Sequence, residues 1–304
     1  MSSIIETHNL SKTYRTNFGK RRILALHEVS LKVQQGEIFA LLGLNGAGKS
    51  TLIKTLLDHV RPTSGQAFLF GEPIRSSNKW KHRVGYLPEL FSAPKLMNAN
   101  QVLRYLGELS GLKGKNLAAR VDETLQKVGL GDASNQKVNT FSKGMVLRLG
   151  IAQALLHQPE LLLLDEPTEG LDPLGRKMIR NLLTELSCNG VTILLNSHLL
   201  SEIELVAHRI AILHKGHLVA QGKLSDLLPQ DQRFEVEVSL NPSLNDSWQF
   251  HPAGSNWLCE VQGYELQHLV SALETKAIPV LAVRPIRTSL EDVFFSYISQ
   301  SSDD

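Results

Sequence analysis

Cysteine is scarce in this chain of 304 residues, limited to Cys188 and Cys259, which lie far apart in sequence. Their spacing matches no metal-ligand pattern. Two reduced, structural thiols of a cytosolic protein are expected rather than a disulfide framework. Charge imbalance is small as well: the formal net charge is +2, which demands no nucleic acid. The short basic cluster Gly19-Lys20-Arg21-Arg22 reads as a solvated hairpin tip. No apolar run approaches the roughly 18–20 residues that a membrane span requires. The N-terminus lacks the basic region and apolar core of a signal peptide. Internal repeats and low-complexity tracts are missing too. Any attachment to a membrane is therefore expected to come through a partner.

What the chain does contain is ordinary for a globular protein able to bury a core, with 42% hydrophobic and 20% charged residues. Its length suits one large domain with a small one, or two of modest size. The stretch Gly43-Leu44-Asn45-Gly46-Ala47-Gly48-Lys49-Ser50-Thr51 satisfies G-x-x-x-x-G-K-[ST]. Such glycines let backbone N–H groups curl around an anion without Cβ clashes. Lys49 supplies a point charge toward the β- and γ-phosphates, and the Ser50 hydroxyl can ligate Mg²⁺. An apolar run at 38–42 reads as a buried strand, and 51–60 continues as an amphipathic helix. The loop thus sits at a helix N-terminus, where free N–H groups and the dipole favour phosphate. This is the pattern of a nucleotide site.

Strands at 4–10 and 23–33 flank a polar loop that holds Tyr14 and the basic cluster. Turns fall at 34–37 and 61–65, a short strand follows at 66–70, and 84–89 reads as a buried strand ending at a proline. Helical spacing over 98–128 predicts an all-helical insertion between halves of a parallel sheet. Phe141-Ser142-Lys143-Gly144-Met145 opens another helix, with Met145, Leu149, Ala152 and Leu156 on its apolar face. The uninterrupted apolar run at 161–164 marks a strand covered on both faces, and it ends in Asp165-Glu166-Pro167. A helix over 176–187 and a strand over 191–195 follow, with Asn196-Ser197-His198 as the polar exit. Alternating strands and helices imply a doubly wound α/β core with its ligand site at the strands' C-terminal ends. Near residue 228 the character changes. Strands at 234–240, 257–261 and 278–283 with helices at 264–276 and 290–298 make a small α+β unit, after a linker at about 225–232. Residues 301–304 read as a frayed tail.

Asp165 closes a buried strand that aims its carboxylate at the phosphate site, where it can hold Mg²⁺ through a water. Glu166 can polarise an attacking water as a general base. An acidic pair after an apolar run also serves as a helix N-cap, which Pro167 and the upstream phosphate loop disfavour. Ser142 as an N-cap and Gly144 at a helix start make a second anion site, although ordinary capping explains them about as well.

In this order, residues 43–51, Ser142 with Gly144, the strand ending in Asp165-Glu166, Leu171-Asp172 and His198 resemble the ATP-binding subunit of ABC transporters. The resemblance covers roughly residues 4–222. Gly85-Tyr86-Leu87-Pro88-Glu89, Ser142-Lys143-Gly144-Met145 and Ser289-Leu290-Glu291-Asp292-Val293-Phe294 resemble a subgroup that pairs with separately encoded, exporter-type permeases. The implied fold is an α/β P-loop NTPase cassette over 1–228, with a parallel-sheet core, an antiparallel β subdomain and a helical insertion at about 90–157. A C-terminal α+β accessory domain over 229–304 completes it.

The resemblance implies ATP and Mg²⁺ as cofactors. Tyr14 would stack on adenine, with a packed core tyrosine as the alternative. Residues 43–51 would be the Walker A loop, and Asp165 and Glu166 the Walker B aspartate and catalytic glutamate. Ser142 and Gly144 would form the signature motif and reach the γ-phosphate held by the other subunit. Glu169-Gly170-Leu171-Asp172 would be the D-loop across the dimer seam, and His198 the switch histidine, catalytic with Glu166 and Lys49. Two departures matter. Glu89 stands where the family has the Q-loop glutamine; its carboxylate can still bind Mg²⁺ or its water but adds negative charge near the triphosphate. In the signature, Lys143 and Met145 replace the common Gly and Gln and Leu147 a second Gln, while Ser142 and Gly144 are retained.

Two copies would pack head to tail around two ATP molecules, separate on hydrolysis, and so drive an integral membrane permease on the inner face of the cell membrane. No nucleic acid is expected. One alternative is a soluble ABC ATPase acting on ribosomes or DNA; such proteins usually carry two cassettes or a long coiled-coil insertion, and this chain has neither. A nucleotide-gated regulator is another, and Glu166 and His198 argue against it.

Overall fold

The computed structural model describes residues 3–16, 21–228, 233–242, 248–286 and 288–300. Strands β1 (Ser3–Thr16), β2 (Arg21–Val29), β3 (Lys32–Gln34) and β4 (Ile38–Leu42) precede helix α1 (Lys49–Leu56). Strands β5 (Ser64–Leu69), β6 (Glu72–Pro73) and β7 (Val84–Leu87) lead into helices α2 (Ala99–Leu109), α3 (Gly114–Lys127) and α4 (Lys143–Leu155). Then come β8 (Leu161–Asp165), α5 (Pro173–Cys188), β9 (Thr192–Asn196), α6 (Leu200–Glu204), β10 (Arg209–His214), β11 (His217–Lys223) and α7 (Leu224–Leu227). The chain closes with β12 (Arg233–Val238), β13 (His251–Ala253), β14 (Asn256–Gln262), α8 (Gly263–Thr275), β15 (Val280–Ile286) and α9 (Leu290–Gln300). It divides into two compact units, one running to Leu224 and including the stretch from Phe294, the other Ser225–Val293.

The first unit is built on a six-stranded sheet of order β11-β10-β4-β9-β8-β7, parallel except for β11. Every residue of β4, β8 and β9 is buried. That is why these strands are apolar without alternation: a strand covered on both faces has no side that faces water. Each leucine so buried stabilises the fold by roughly 1.5–3 kcal/mol. The register pairs Asn196 of β9 with Asp165 of β8 on one side and Leu41 of β4 on the other. These strands therefore end together, and the loop after β4 opens at that shared edge. A second sheet, of order β2-β1-β5-β6 with β3 also paired to β1, is antiparallel. The helical insertion opens at Asn98, whose side chain accepts the Gln101 N–H at 2.8 Å while the Gln101 side chain accepts the Asn98 N–H at 3.0 Å. This reciprocal cap starts α2 where helical spacing begins.

Several expectations need correcting. Tyr14 does not lie in a polar loop but within β1, opposite Ile23 of β2. Pairing with β2 satisfies the backbone of this polar stretch, so the strand runs on past residue 10. Arg21 and Arg22 belong to β2, opposite Thr16 and Arg15; Gly19 and Lys20 of the expected tip lie outside the described residues. The run at 23–33 is split into β2 and β3, and the helix expected from residue 51 already begins at Lys49. Helix α4 is buried around most of its circumference, Leu147, Ile151 and Ala154 included, rather than on one face. Strands β10 and β11 were not expected. Helix α7 fills the start of the expected linker at 225–232, whose residues 229–232 lie outside the described residues, as does the tail at 301–304. Among the described residues, no helix is long and apolar enough to cross a membrane.

The second unit is an antiparallel sheet of order β13-β14-β12-β15 with a core of Val236, Val238, Cys259, Val261, Leu269 and Leu273. Burial pushes the Cys259 thiol up to about 11, whereas Cys188 is exposed. Since the thiolate is the nucleophile, a maleimide should modify Cys188 quickly and Cys259 only on unfolding. Equal rates at both thiols in the native protein would contradict this packing.

Candidate active site

Glycines shape the loop after β4 for steric reasons. A Cβ on Gly43 would lie 2.5 Å from the Leu213 carbonyl oxygen at the end of β10. Gly48, the N-cap of α1, has φ 109°, and a Cβ there would run into the Ala25 carbonyl oxygen. No side chain caps α1, so its first-turn N–H groups are free to meet an anion. The Lys49 side chain folds back along the loop, its Nζ donating to the Gly43 carbonyl at 2.6 Å and the Leu44 carbonyl at 3.2 Å.

The cleft in front of this loop has a volume of about 360 Å³ and is lined by residues 45–51, Glu89, Asp165, Glu166, Asn196 and residues 23–25. Folding thus gathers the loop, the acidic pair and Glu89 at one place. Asp165 is 3% exposed and accepts a hydrogen bond from the Asn196 amide. Burial raises its pKa; the Asn196 bond and Lys49 oppose that shift, and Glu89 and Glu166 add to it. Burial lowers the Lys49 pKa, against the pull of Glu166, Asp165 and Glu89. For both Asp165 and Lys49 burial is the larger effect, and the opposite charge across the cleft offsets only part of it.

Glu166 has φ 54° and donates its N–H to the Asn196 carbonyl at 2.8 Å. Its Oε2 lies 2.9 Å from Nδ1 of His198 and accepts the His198 N–H at 3.3 Å. His198 is thereby tied to the acidic pair while half its side chain stays exposed. Tyr14 is partly buried under the Lys12 ammonium, 5.0 Å from its ring centroid, and is not among the residues lining the cleft. Its neighbours Ile23 and Leu24 do line it, exposed to 46% and 44%, as an apolar wall suited to a base.

Ser142, Gly144 and Asp172 fall outside this cleft. The Ser142 hydroxyl accepts the Met145 N–H at 3.2 Å and caps α4; the Asp172 carboxylate accepts the Gly175 N–H at 2.8 Å and caps α5. Lys143 forms an ion pair with Glu169 at 2.9 Å that sequence reasoning missed, as it did Asn196, Ile23 and Leu24 as cleft residues. Only the register of β9 against β8 brings Asn196 to Asp165.

The cleft's donors suit Mg²⁺: the Ser50 hydroxyl and the carboxylates of Asp165 and Glu89 are hard oxygen ligands. Among the described residues no group of three or more His, Cys, Asp or Glu forms a ready-made metal cage.

The ABC transporter family matches residues 26–169. The ABC transporter ATP-binding protein sll0415 of Synechocystis is 38% identical over 98% of this chain and 86% of its own length. The bacitracin transport ATP-binding protein BcrA of Bacillus licheniformis is 39% identical over 79% of this chain and 76% of its own. Among solved structures, the dimeric ATP-binding cassette MJ0796, in a post-hydrolysis state with ADP and phosphate, superposes with a TM-score of 0.66 at 26% identity, over 72% of this chain and 98% of that one. Fold and cleft define an ATP-hydrolysing P-loop protein. The chain belongs to the ATP-binding proteins of ABC transporters. It binds and hydrolyses ATP as a subunit of such a transporter.

Proposed function

We propose that this chain powers export through a separately encoded integral membrane permease, acting as a pair of copies held on the inner face of the cell membrane. The observation that carries the reading is a separation. The start of α4, with Ser142 and Gly144, lies outside the cleft lined by residues 45–51, Asp165 and Glu166. A second copy placed head to tail would bring that helix start to the γ-phosphate, with Asp172 at the seam. The likeness to a bacitracin transport protein supports a transport role, and the motifs at 85–89, 142–145 and 289–294 support an exporter-type partner.

In this reading the N–H groups of residues 43–51 and Lys49 hold the phosphates, and Ile23 and Leu24 face the base, with Tyr14, opposite Ile23 in the paired strand, stacking only at its outer edge. Ser50, Asp165 and Glu89 hold Mg²⁺, which when bound neutralises charge on the β- and γ-phosphates. Glu166 orients and deprotonates the attacking water, with His198 fixing the Glu166 carboxylate. A groove of about 550 Å³ lined by Tyr86, Phe91, Leu106 and His157 takes the permease, and its lining residue Pro88, next to Glu89 in the chain, couples the two. Residues 229–304 act as an accessory domain. Turnover per chain should rise with chain concentration and depend cooperatively on ATP. Constant turnover per chain, with scattering showing a monomer throughout, would rule out the paired site.

A further inference from the structure

We propose that Asn196 is a positioning residue of the ATP site, its side-chain oxygen accepting a hydrogen bond from a water carried by the divalent cation. The inference deepens the reading above, and rests on the Asp165 cleft taking Mg-ATP. Asn196 is the last residue of β9, 2% exposed, and it lines the cleft between β4 and β8. It grips both members of the acidic pair. Its Nδ2 donates to Asp165 Oδ1, and its backbone carbonyl accepts the Glu166 N–H at 2.8 Å. The opposite amide orientation would set two oxygens against each other, so the contact with a carboxylate dictates which atom is nitrogen.

That orientation leaves Oδ1 buried and without a hydrogen-bond partner among the described residues. Buried polar atoms are rarely left so, and one at a ligand cleft points to the ligand. An acceptor needs a donor. Asp165, Glu89 and Glu166, when ionised, offer none, nor do the phosphate oxygens of ATP. The Lys49 ammonium gives two of its three donors to the Gly43 and Leu44 carbonyls, and the reading above turns the third to the phosphates and the Ser50 hydroxyl to the cation. Water remains as the donor, and water next to Asp165 belongs to the cation's shell, since Mg²⁺ keeps several of its waters. The attacking water beside Glu166 is the other source of the same chemistry, and the experiment separates the two.

ATP binding to the full-length chain is measured by calorimetry across a Mg²⁺ titration and again in EDTA, with kcat taken at saturating Mg²⁺. Asn196→Ala and the isosteric Asn196→Leu should each raise the Mg²⁺ concentration for half-maximal ATP binding by about 3–10-fold, the loss of one hydrogen bond. Binding in EDTA should stay within about twofold of native, which also reports that the variants fold. Should Asn196→Ala not fold, Asn196→Ser replaces it with the same expected shift. An unchanged Mg²⁺ requirement overturns the proposal, including the case where kcat alone falls and the oxygen serves the attacking water. Native behaviour in Asn196→Leu also overturns it, since packing would then suffice. If the native chain itself binds ATP with no dependence on Mg²⁺, it is the underlying reading of the cleft that fails.

Discussion

Glu166→Gln lowers ATP hydrolysis by about 10²–10⁴-fold, the usual contribution of a general base, while ATP binding and ATP-dependent pairing of chains survive. Glutamine keeps the volume of the side chain in a position only 9% exposed. The backbone that sets the position, with φ 54° and the N–H donated to Asn196 at 2.8 Å, is independent of the charge. What disappears is the carboxylate's capacity to take a proton. Removing one negative charge from beside Asp165 and Glu89 should, if anything, favour the bound triphosphate. The expected signature is therefore a chain that pairs in Mg-ATP, seen by light scattering, and fails in a single-turnover assay. Near-native single turnover would remove Glu166 from the chemistry.

Lys49→Ala should weaken ATP binding itself by at least about 10–10²-fold, since hydrogen bonds to a charged partner contribute about 1.5–3 kcal/mol each. The ammonium is buried, and it is the cation that Asp165 feels in a cleft shared with Glu89 and Glu166. Without it those carboxylates would confront the triphosphate with no cationic side chain among the described residues that line the cleft. The fold should tolerate the change, because Lys49 opens α1 and alanine is the best helix former. Calorimetry decides: unchanged affinity would contradict the cradle formed by the loop and its lysine. Taken together, the two variants separate binding from chemistry within one cleft.

Much of this site was legible in the chain because its signals are local. The loop at 43–51 is contiguous, as are the strand ending in Asp165-Glu166 and the cap at Ser142. A short apolar strand was harder. Arg209–His214 carries no alternation, because every residue after the first is buried, and such a run cannot be told from a helical segment by period alone. Yet β10 pairs with β4 and closes one side of the phosphate loop, where the Leu213 carbonyl leaves room only for glycine at Gly43. Tyr14 was misplaced for the converse reason: its surroundings are polar, and strand pairing overrode composition.

By itself the sequence determined the class of ligand and pointed to the loop and the acid pair that fold into one cleft, since a phosphate-binding loop and a strand-end acid pair each act over a few neighbouring positions. Which distant side chains complete the site was decided by tertiary structure alone. Asn196 and Asp165 are 31 positions apart, and Lys143 and Glu169 are 26. Such pairs exist only once strand register and helix packing are set, and those follow from burying both faces of one sheet rather than from any local pattern.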